Sequence, residues 1–398
     1  MTLIMPALGE SRGAQSEHSG PGHQSGGVVR EVEGQTVVQL WGGAYDRGYA
    51  HGFLLRHQTL DLLGEYAVAE VGPQRYARAL AAFTAGQRLP EAIVTEARGV
   101  IDGLKAAGGA HLEALGRALT AEDLLLLNAY TELSGLGCSS MSAWGGRSTG
   151  GAGRLVRQLD WSDHPALLRN QIIFVHHPDD PASQPFVSIG FAGYLGCLSC
   201  LGASGLGVFF NMAGRNTSLK AFREGFTPGG LILRAAVERR GSTMDTLARM
   251  LKEARHAGHY IVHAIEPARP DADPAAVFEI TPQRVSRRGA SDDPEMKGAL
   301  VATNHHRQGV GTPAQCRRYR ALKSANRSGQ PWGREQMWLQ GARVALPEVV
   351  HQLMVEPETR WMRVRLRSPR RSLADSAAPV EYQWSRWMQA DIDTSAQR

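Results

Sequence analysis

Hydrophobic and polar positions along this chain change rhythm near residue 137. Before that point apolar residues recur every three or four positions, after a short strand-like run at Val37, Val38, Leu40 and Trp41. Residues 45–58 read as a helix that carries Gly48 and Gly52 one turn apart, a spacing suited to close packing on one face. Pro90 opens an amphipathic helix with Ile93, Ala97, Val100, Ile101 and Leu104 on one side, since proline is tolerated in a first turn. Thr120 with Asp123 makes a capping-box-like start for a further helix through Leu124 and Leu127. Residues 36–135 are therefore expected to be mostly helical.

Beyond Gly137 the text breaks into short β-rich runs at 155–159, 172–175, 186–191, 195–201 and 206–211, punctuated by Gly, Asp and Pro. Two helices follow at 230–239 and 244–254, the second read as capped by Ser242 with Asp245 three residues on. Strands resume at 260–265, 276–281 and 299–303. Strands, a helix pair and strands again predict an α+β layered domain rather than a parallel β-α-β array. Residues 9–35 hold Gly, Ser, Gln, His and Glu with little apolar content, so 1–35 reads as a disordered tail. The expected organisation is that tail, a helical segment over 36–137, and a core domain over 138–398.

Composition narrows the function classes. The 398 residues are 42% hydrophobic and 21% charged, enough for a large core. No run of about 18 apolar residues predicts a membrane span, and residues 1–30 lack an apolar signal-peptide core, so a cytoplasmic setting is expected. The net charge of +6 is small for this length, and no nucleic-acid partner is expected. The arginines at 360, 363, 365, 367, 370 and 371 alternate as on a strand with one solvated face. Cys197 and Cys200 have CxxC spacing without a second pair, and strand alternation would send them to opposite faces, so they read as structural. His256, His259 and His263 read as core and rim histidines; no metal site and no cofactor are expected. The glycines between 145 and 153 suit a hairpin turn rather than a phosphate loop. Sequons at Asn216 and Asn326 carry no meaning without secretion.

Two short segments could carry chemistry. In Gly137-Cys138-Ser139-Ser140 a thiol stands at the change of texture beside a permissive glycine, either as an exposed nucleophile or as a buried structural residue. In the run from Arg154 to Trp161, alternation puts Gln158 and Asp160 on one face and Arg157 on the other. A bulge or twist would be needed for Arg157 and Asp160 to converge; the alternative is a salt bridge at a strand end. An arginine near a thiol lowers its pKa, and a carboxylate can orient an amine.

The run 137–145 with Arg157-Gln158-Leu159-Asp160-Trp161 resembles the isopenicillin N acyltransferase branch of the N-terminal nucleophile (Ntn) hydrolases, related to the choloylglycine hydrolases. Three further segments are similar in the same order: Gly43 to Gly52, Gly205 to Asn211, and Thr303-Asn304-His305 followed by Gln315-Cys316-Arg317-Arg318-Tyr319. The likeness spans roughly residues 38–325. It implies a four-layer αββα fold and a precursor that cuts itself at Gly137–Cys138. Cys138 would then be the nucleophile and its own α-amine the base, with Asp160 orienting that amine and Arg157 holding the thiolate. Asn211 would donate to the oxyanion, and Arg317, or Arg318 if the register shifts by one, would complete the polar cluster. Asn304 and His305 would bind substrate. Cys316 and Gln158 depart from the family pattern, which has serine and asparagine there. The implied partners are a small acyl amide, with an acyl-CoA thioester as another donor, and the two cleaved pieces associating with each other. The competing classes are an ester hydrolase resembling phospholipase B-like proteins and a catalytically silent binding protein.

Overall fold

A computed structural model describes residues 3–4, 26–133, 137–213, 222, 225–308, 315–327 and 329–389. The chain begins with β1 (Leu3–Ile4), β2 (Gly26–Val32) and β3 (Gln35–Gly42). Helices α1 (Ala44–Leu54) and α2 (Arg56–Asp61), a π-helical turn over Leu62–Val68, then α3 (Ala69–Val71), α4 (Pro73–Gly86) and α5 (Glu91–Ala106) follow. A small hairpin, β4 (His111–Leu112) with β5 (Arg117–Ala118), leads into α6 (Ala121–Leu133). The Thr120 cap forms as the sequence predicts: its N–H donates to Asp123 Oδ2 at 2.8 Å.

The β-rich half opens with the hairpin of β6 (Gly137–Gly145) and β7 (Gly151–Asp160), then α7 (Pro165–Arg169), β8 (Gln171–Pro178), β9 (Phe186–Phe191), β10 (Ser199–Gly202) and β11 (Gly207–Met212). After α8 (Gly229–Glu238) and α9 (Met244–Glu253) come β12 (Tyr260–Ile265), β13 (Ala275–Thr281), β14 (Arg284–Arg288) and β15 (Ala299–Ala302). The chain closes with α10 (Arg317–Asn326), α11 (Arg334–Arg343), β16 (Val349–Glu356), β17 (Trp361–Leu366), β18 (Val380–Gln383) and α12 (Trp384–Gln389).

Among the described residues the strands form a ten-stranded sheet, β1-β2-β3-β8-β9-β10-β11-β12-β13-β14, and a six-stranded sheet, β15-β6-β7-β16-β17-β18. Pairing is antiparallel except between β3 and β8. Alternation along the strands then fixes the layers. Inward residues such as Ile189, Phe209, Ile261 and Val277 of the large sheet pack against Leu155, Leu353 and Val364 of the small one. The other face of the large sheet, with Val208, Phe210, Val262 and Phe278, is covered by apolar residues of α5, α6, α8 and α9. The other face of the small sheet, with Met141, Val156 and Met354, is covered by Leu322 of α10 and Met337 and Trp338 of α11. Helices, sheet, sheet and helices make the αββα order.

Several expectations are corrected. The tail ends earlier than residue 35, because Gly26–Val32 pairs along its whole length with β3 and buries Val28. The rest of that tail, apart from β1, and the Asn216 sequon lie outside the described residues. Within 36–137, β3 lies inside the large sheet and the helices share that sheet's core. The run 195–201 is a strand only from Ser199. Leu195 and Gly196 donate their N–H groups to Asn128 Oδ1, and Cys197 donates to the Gly230 carbonyl, so no ladder forms there. Alternation therefore does not separate Cys197 from Cys200; the two are joined in a disulfide. Thr243, not Ser242, caps α9, accepting from the Thr246 N–H at 3.3 Å.

Candidate active site at the start of strand β6

The β6–β7 register sets the site: Gly137 faces Asp160, Cys138 faces Leu159 and Ser140 faces Arg157. Directly opposed residues of an antiparallel pair project to the same side. Cys138 and Arg157 thus share the inward face, while Gly137 and Asp160 share the outward one. The two charged residues do not converge through a bulge in β7. They approach the nucleophile position from opposite faces of one strand end, and the irregularity lies in β16, between Val349 and His351. Space at 137 is tight: a Cβ there would stand 3.1 Å from Asp160 Cβ and 3.3 Å from Leu346 Cδ1, so a larger residue needs its neighbours to give by a few tenths of an ångström.

On the inward side Arg157 Nη2 donates to Cys138 Sγ at 3.5 Å. The guanidinium is completely buried and also donates to the carbonyls of Leu198 and Phe210 and to Ser199 Oγ. Cys138 Sγ lies 3.6 Å from that same Phe210 carbonyl. Burial pushes the Cys138 thiol up, and the Arg157 charge pulls it back. The Ser140 and Ser142 hydroxyls each meet one nitrogen of His263 at 2.8 Å, which ties β6 to β12 behind the thiol and accounts for that buried histidine.

On the outward side the Cys138 N–H donates to Asn304 Oδ1 at 2.9 Å. Arg318 bridges that oxygen, at 2.6 Å, to Asp160 Oδ2, at 2.5 Å. Burial raises the Asp160 carboxyl while Arg318 opposes the rise. Asp160 Oδ1 is buried without a hydrogen-bond partner. Asn211 on β11 reaches the Thr303 carbonyl only at 3.4 Å, and its own Oδ1 is buried and unpaired.

The expected set is therefore brought together at Cys138, Arg157, Asp160 and Asn211 around Gly137, with one change of register. Arg317 begins α10 and points to solvent, whereas Arg318, one residue on, reaches the site. Asn304 ties the site together: Oδ1 takes Cys138 and Arg318, and Nδ2 donates to the Met212 carbonyl at 2.7 Å. His305 stands half-buried at the rim, its pKa lowered by burial and by Arg307 and Arg318. Gln158 lies on the outward face against Gly341, away from the thiol. Sequence reasoning missed Ser199 and the carbonyls of Leu198 and Phe210, which hold Arg157; a backbone acceptor leaves no trace in residue type.

No family model matches the chain. Protein dcd1B of Dictyostelium discoideum is 27% identical over 180 residues, 41% of this chain, and the match spans 35% of that relative's length. Among solved structures, the Caenorhabditis elegans ortholog of N-acylethanolamine-hydrolyzing acid amidase aligns at 14% identity with a TM-score of 0.42, over 62% of this chain and 99% of that one. A mutant of conjugated bile acid hydrolase from Clostridium perfringens aligns at 10% identity with a TM-score of 0.37, over 62% and 96%. At these values the layer order rests on this chain's own sheets and cores.

Proposed function

We propose that this chain is a self-processing Ntn amidohydrolase of the isopenicillin N acyltransferase-like branch, acting through a thioester on Cys138. The observation that carries the reading is the double hold on one residue. The thiol of Cys138 sits against Arg157 and its backbone nitrogen against Asn304, with Asp160, one of whose oxygens has no hydrogen bond, opposite Gly137 at the same strand end. A peptide N–H has one proton to give, and Asn304 already receives it. An α-amine released by cutting Gly137–Cys138 would have more, and Asp160 Oδ1 is a carboxylate oxygen ready for them.

In turnover the free amine, with an ordinary pKa of about 7.7–8.0, takes the Sγ proton as the thiolate attacks the amide carbonyl. Arg157 holds the thiolate, and Asn211 Nδ2 gives up its long bond to Thr303 to donate to the oxyanion. The ammonium returns its proton to the departing amine, leaving the thioester. Water, deprotonated by the same α-amine, then releases the acid. Hydrolysis is preferred over acyl transfer because water needs no acceptor pocket.

An apolar acyl part is the proposed substrate feature, from an apolar hollow two ring contacts away from Trp161. A hollow of about 280 Å³ between α4 and α6 is lined by Val71, Tyr76, Ala79, Leu126 and Tyr130, with Arg75 and Arg78 at its margin. Tyr130 packs on Tyr66 and Tyr66 on Trp161, the residue after Asp160. Among the described residues no helix is long and apolar enough to cross a membrane. The Cys197–Cys200 disulfide favours an oxidising compartment over the cytoplasmic setting the sequence suggested. The test is a panel of matched acyl amides and acyl esters run against wild type and Cys138→Ala. Amide cleavage by wild type alone supports the reading, and equal rates for the two proteins overturn it.

A further inference from the structure

We propose that the Cys197–Cys200 disulfide is a positioning element for Arg157, and through it for the Cys138 thiolate. This rests on the reading of Cys138 as the nucleophile. The four-residue loop closed by the disulfide contains only Leu198 and Ser199 between its sulfurs. Those two residues supply two of the acceptors that hold Arg157, beside the Phe210 carbonyl: Nη1 donates to the Leu198 carbonyl and to Ser199 Oγ.

The same loop meets the rest of the site twice more. Phe210 donates its N–H to the Leu198 carbonyl at 2.9 Å, while the Phe210 carbonyl faces both Arg157 and Cys138 Sγ. Ser199 Oγ also meets His351 Nε2 at 3.1 Å, on the strand next to β7. The crosslink adds a tie where residues 195–197 have no strand partner, being held by Asn128 and by the Gly230 carbonyl instead. Without the sulfur bridge the Leu198 carbonyl keeps the Phe210 N–H and Arg157 as its partners.

Both cysteines are completely buried, so an external dithiol reaches the bridge only when the loop opens; it then passes two electrons and two protons to the sulfurs, giving two thiols while the dithiol closes to its own disulfide. The freed loop relaxes, two of the three groups that hold Arg157 shift while the Phe210 carbonyl stays, and the guanidinium is held less firmly against the thiolate. A cation a few ångströms from an ionising group typically moves its pKa by ~1–3 units.

The experiment counts free thiols first, in denaturant: two, Cys138 and Cys316, in the protein as isolated, and four after mild dithiol treatment. Iodoacetamide labelling of Cys138 is then followed against pH by peptide mass spectrometry in both states, with kcat and KM measured alongside. Reduction should raise the labelling midpoint by ~1–3 pH units and lower kcat with little change in KM, while the melting profile stays cooperative. The Cys197→Ser/Cys200→Ser variant should match the reduced protein and ignore further dithiol; if it does not fold, the reduced wild type decides. Four thiols at the start, equal midpoints, no labelling in either state, or unfolding on reduction each overturn the proposal. Labelling reads the thiol whether or not the chain has cut itself. An uncleaved protein whose midpoint still rises on reduction would therefore defeat the self-cleavage and leave this inference standing.

Discussion

At Asp160 one oxygen is spent on Arg318, the Leu346 backbone N–H also faces the carboxyl, and the second oxygen takes no side-chain donor, an asymmetry that an α-amine would use. Asp160→Asn keeps the size and removes the charge. We expect kcat to fall by ~10²-fold, in the range of misplaced acid–base groups, with the fold retained by circular dichroism; near-normal turnover would remove Asp160 from the site. The neighbouring arginines separate cleanly. Arg318→Ala should lower both kcat and the melting temperature, since it leaves a buried carboxylate without its cation. Arg317→Ala, on an exposed side chain, should change neither. Glu132 gives a prediction in pH. Burial lifts its carboxyl from an ordinary 4.5 to about 7, opposed by the Gly229 N–H. An acid whose folded pKa is raised holds its proton in the folded state after the unfolded chain has lost it. Stability therefore declines as pH rises from about 4.5 to about 7, by about 3 kcal/mol in all. Glu132→Gln should melt higher than wild type at pH 8 and show a flatter dependence between pH 5 and 8; parallel curves would refute this.

The α1–α5 pair shows at the element scale how far a sequence pattern reaches. Gly48 and Gly52 on α1 and Gly99 and Gly103 on α5 let two backbones touch. Added Cβ atoms would stand 2.0, 2.0, 2.3 and 2.1 Å from the carbonyl oxygens of Glu96, Val100, Tyr45 and Tyr49. Gly52→Ala is expected to cost about 1–3 kcal/mol as overpacking, read as a lower melting temperature; an unchanged melt would mean the helices can separate freely. The first glycine pair was legible in the sequence and its packing role is borne out, but its partner pair on α5 was not singled out, because helix pairing is a tertiary fact. The same limit runs through the other elements. The amphipathic helix after Pro90, the Thr120 cap and strands 186–191 and 260–265 follow from local periodicity and appear as expected. Strand β2 was hidden in polar text because it is a Gly-rich strand near a sheet edge, and β10 starts late because side chains claim the donors before it. At the site, residue types were readable and register was not. Arg318 replaces Arg317 because the turn of α10, not the motif, decides which guanidinium faces Asp160.

For the whole molecule the decisive question is what holds the two products together if Gly137–Cys138 breaks. The pieces would have 137 and 261 residues, 398 less 137. They do not correspond to separate layers. The small piece supplies β2 and β3 to the large sheet, with β3 pairing to β8 of the large piece, and its helices α5 and α6 cover that sheet's outer face. A buried ion pair crosses the same boundary, Arg234 of α8 donating to both oxygens of Glu96 on α5, the Nη1 bond at 3.0 Å. Separating the pieces would expose this core and strand buried charges, each a cost of several kcal/mol. Purified protein should accordingly run as two bands on a denaturing gel and elute as one particle. The larger band should begin Cys-Ser-Ser-Met, and Cys138→Ala should stay a single chain with the same elution. Processing cannot use the α-amine, which does not yet exist, so Cys138→Ser, whose hydroxyl is a weaker acid than a thiol, should cut more slowly than wild type. An intact wild-type chain that hydrolyses amides would overturn the mechanism, because a nitrogen still in a peptide bond cannot accept the thiol's proton.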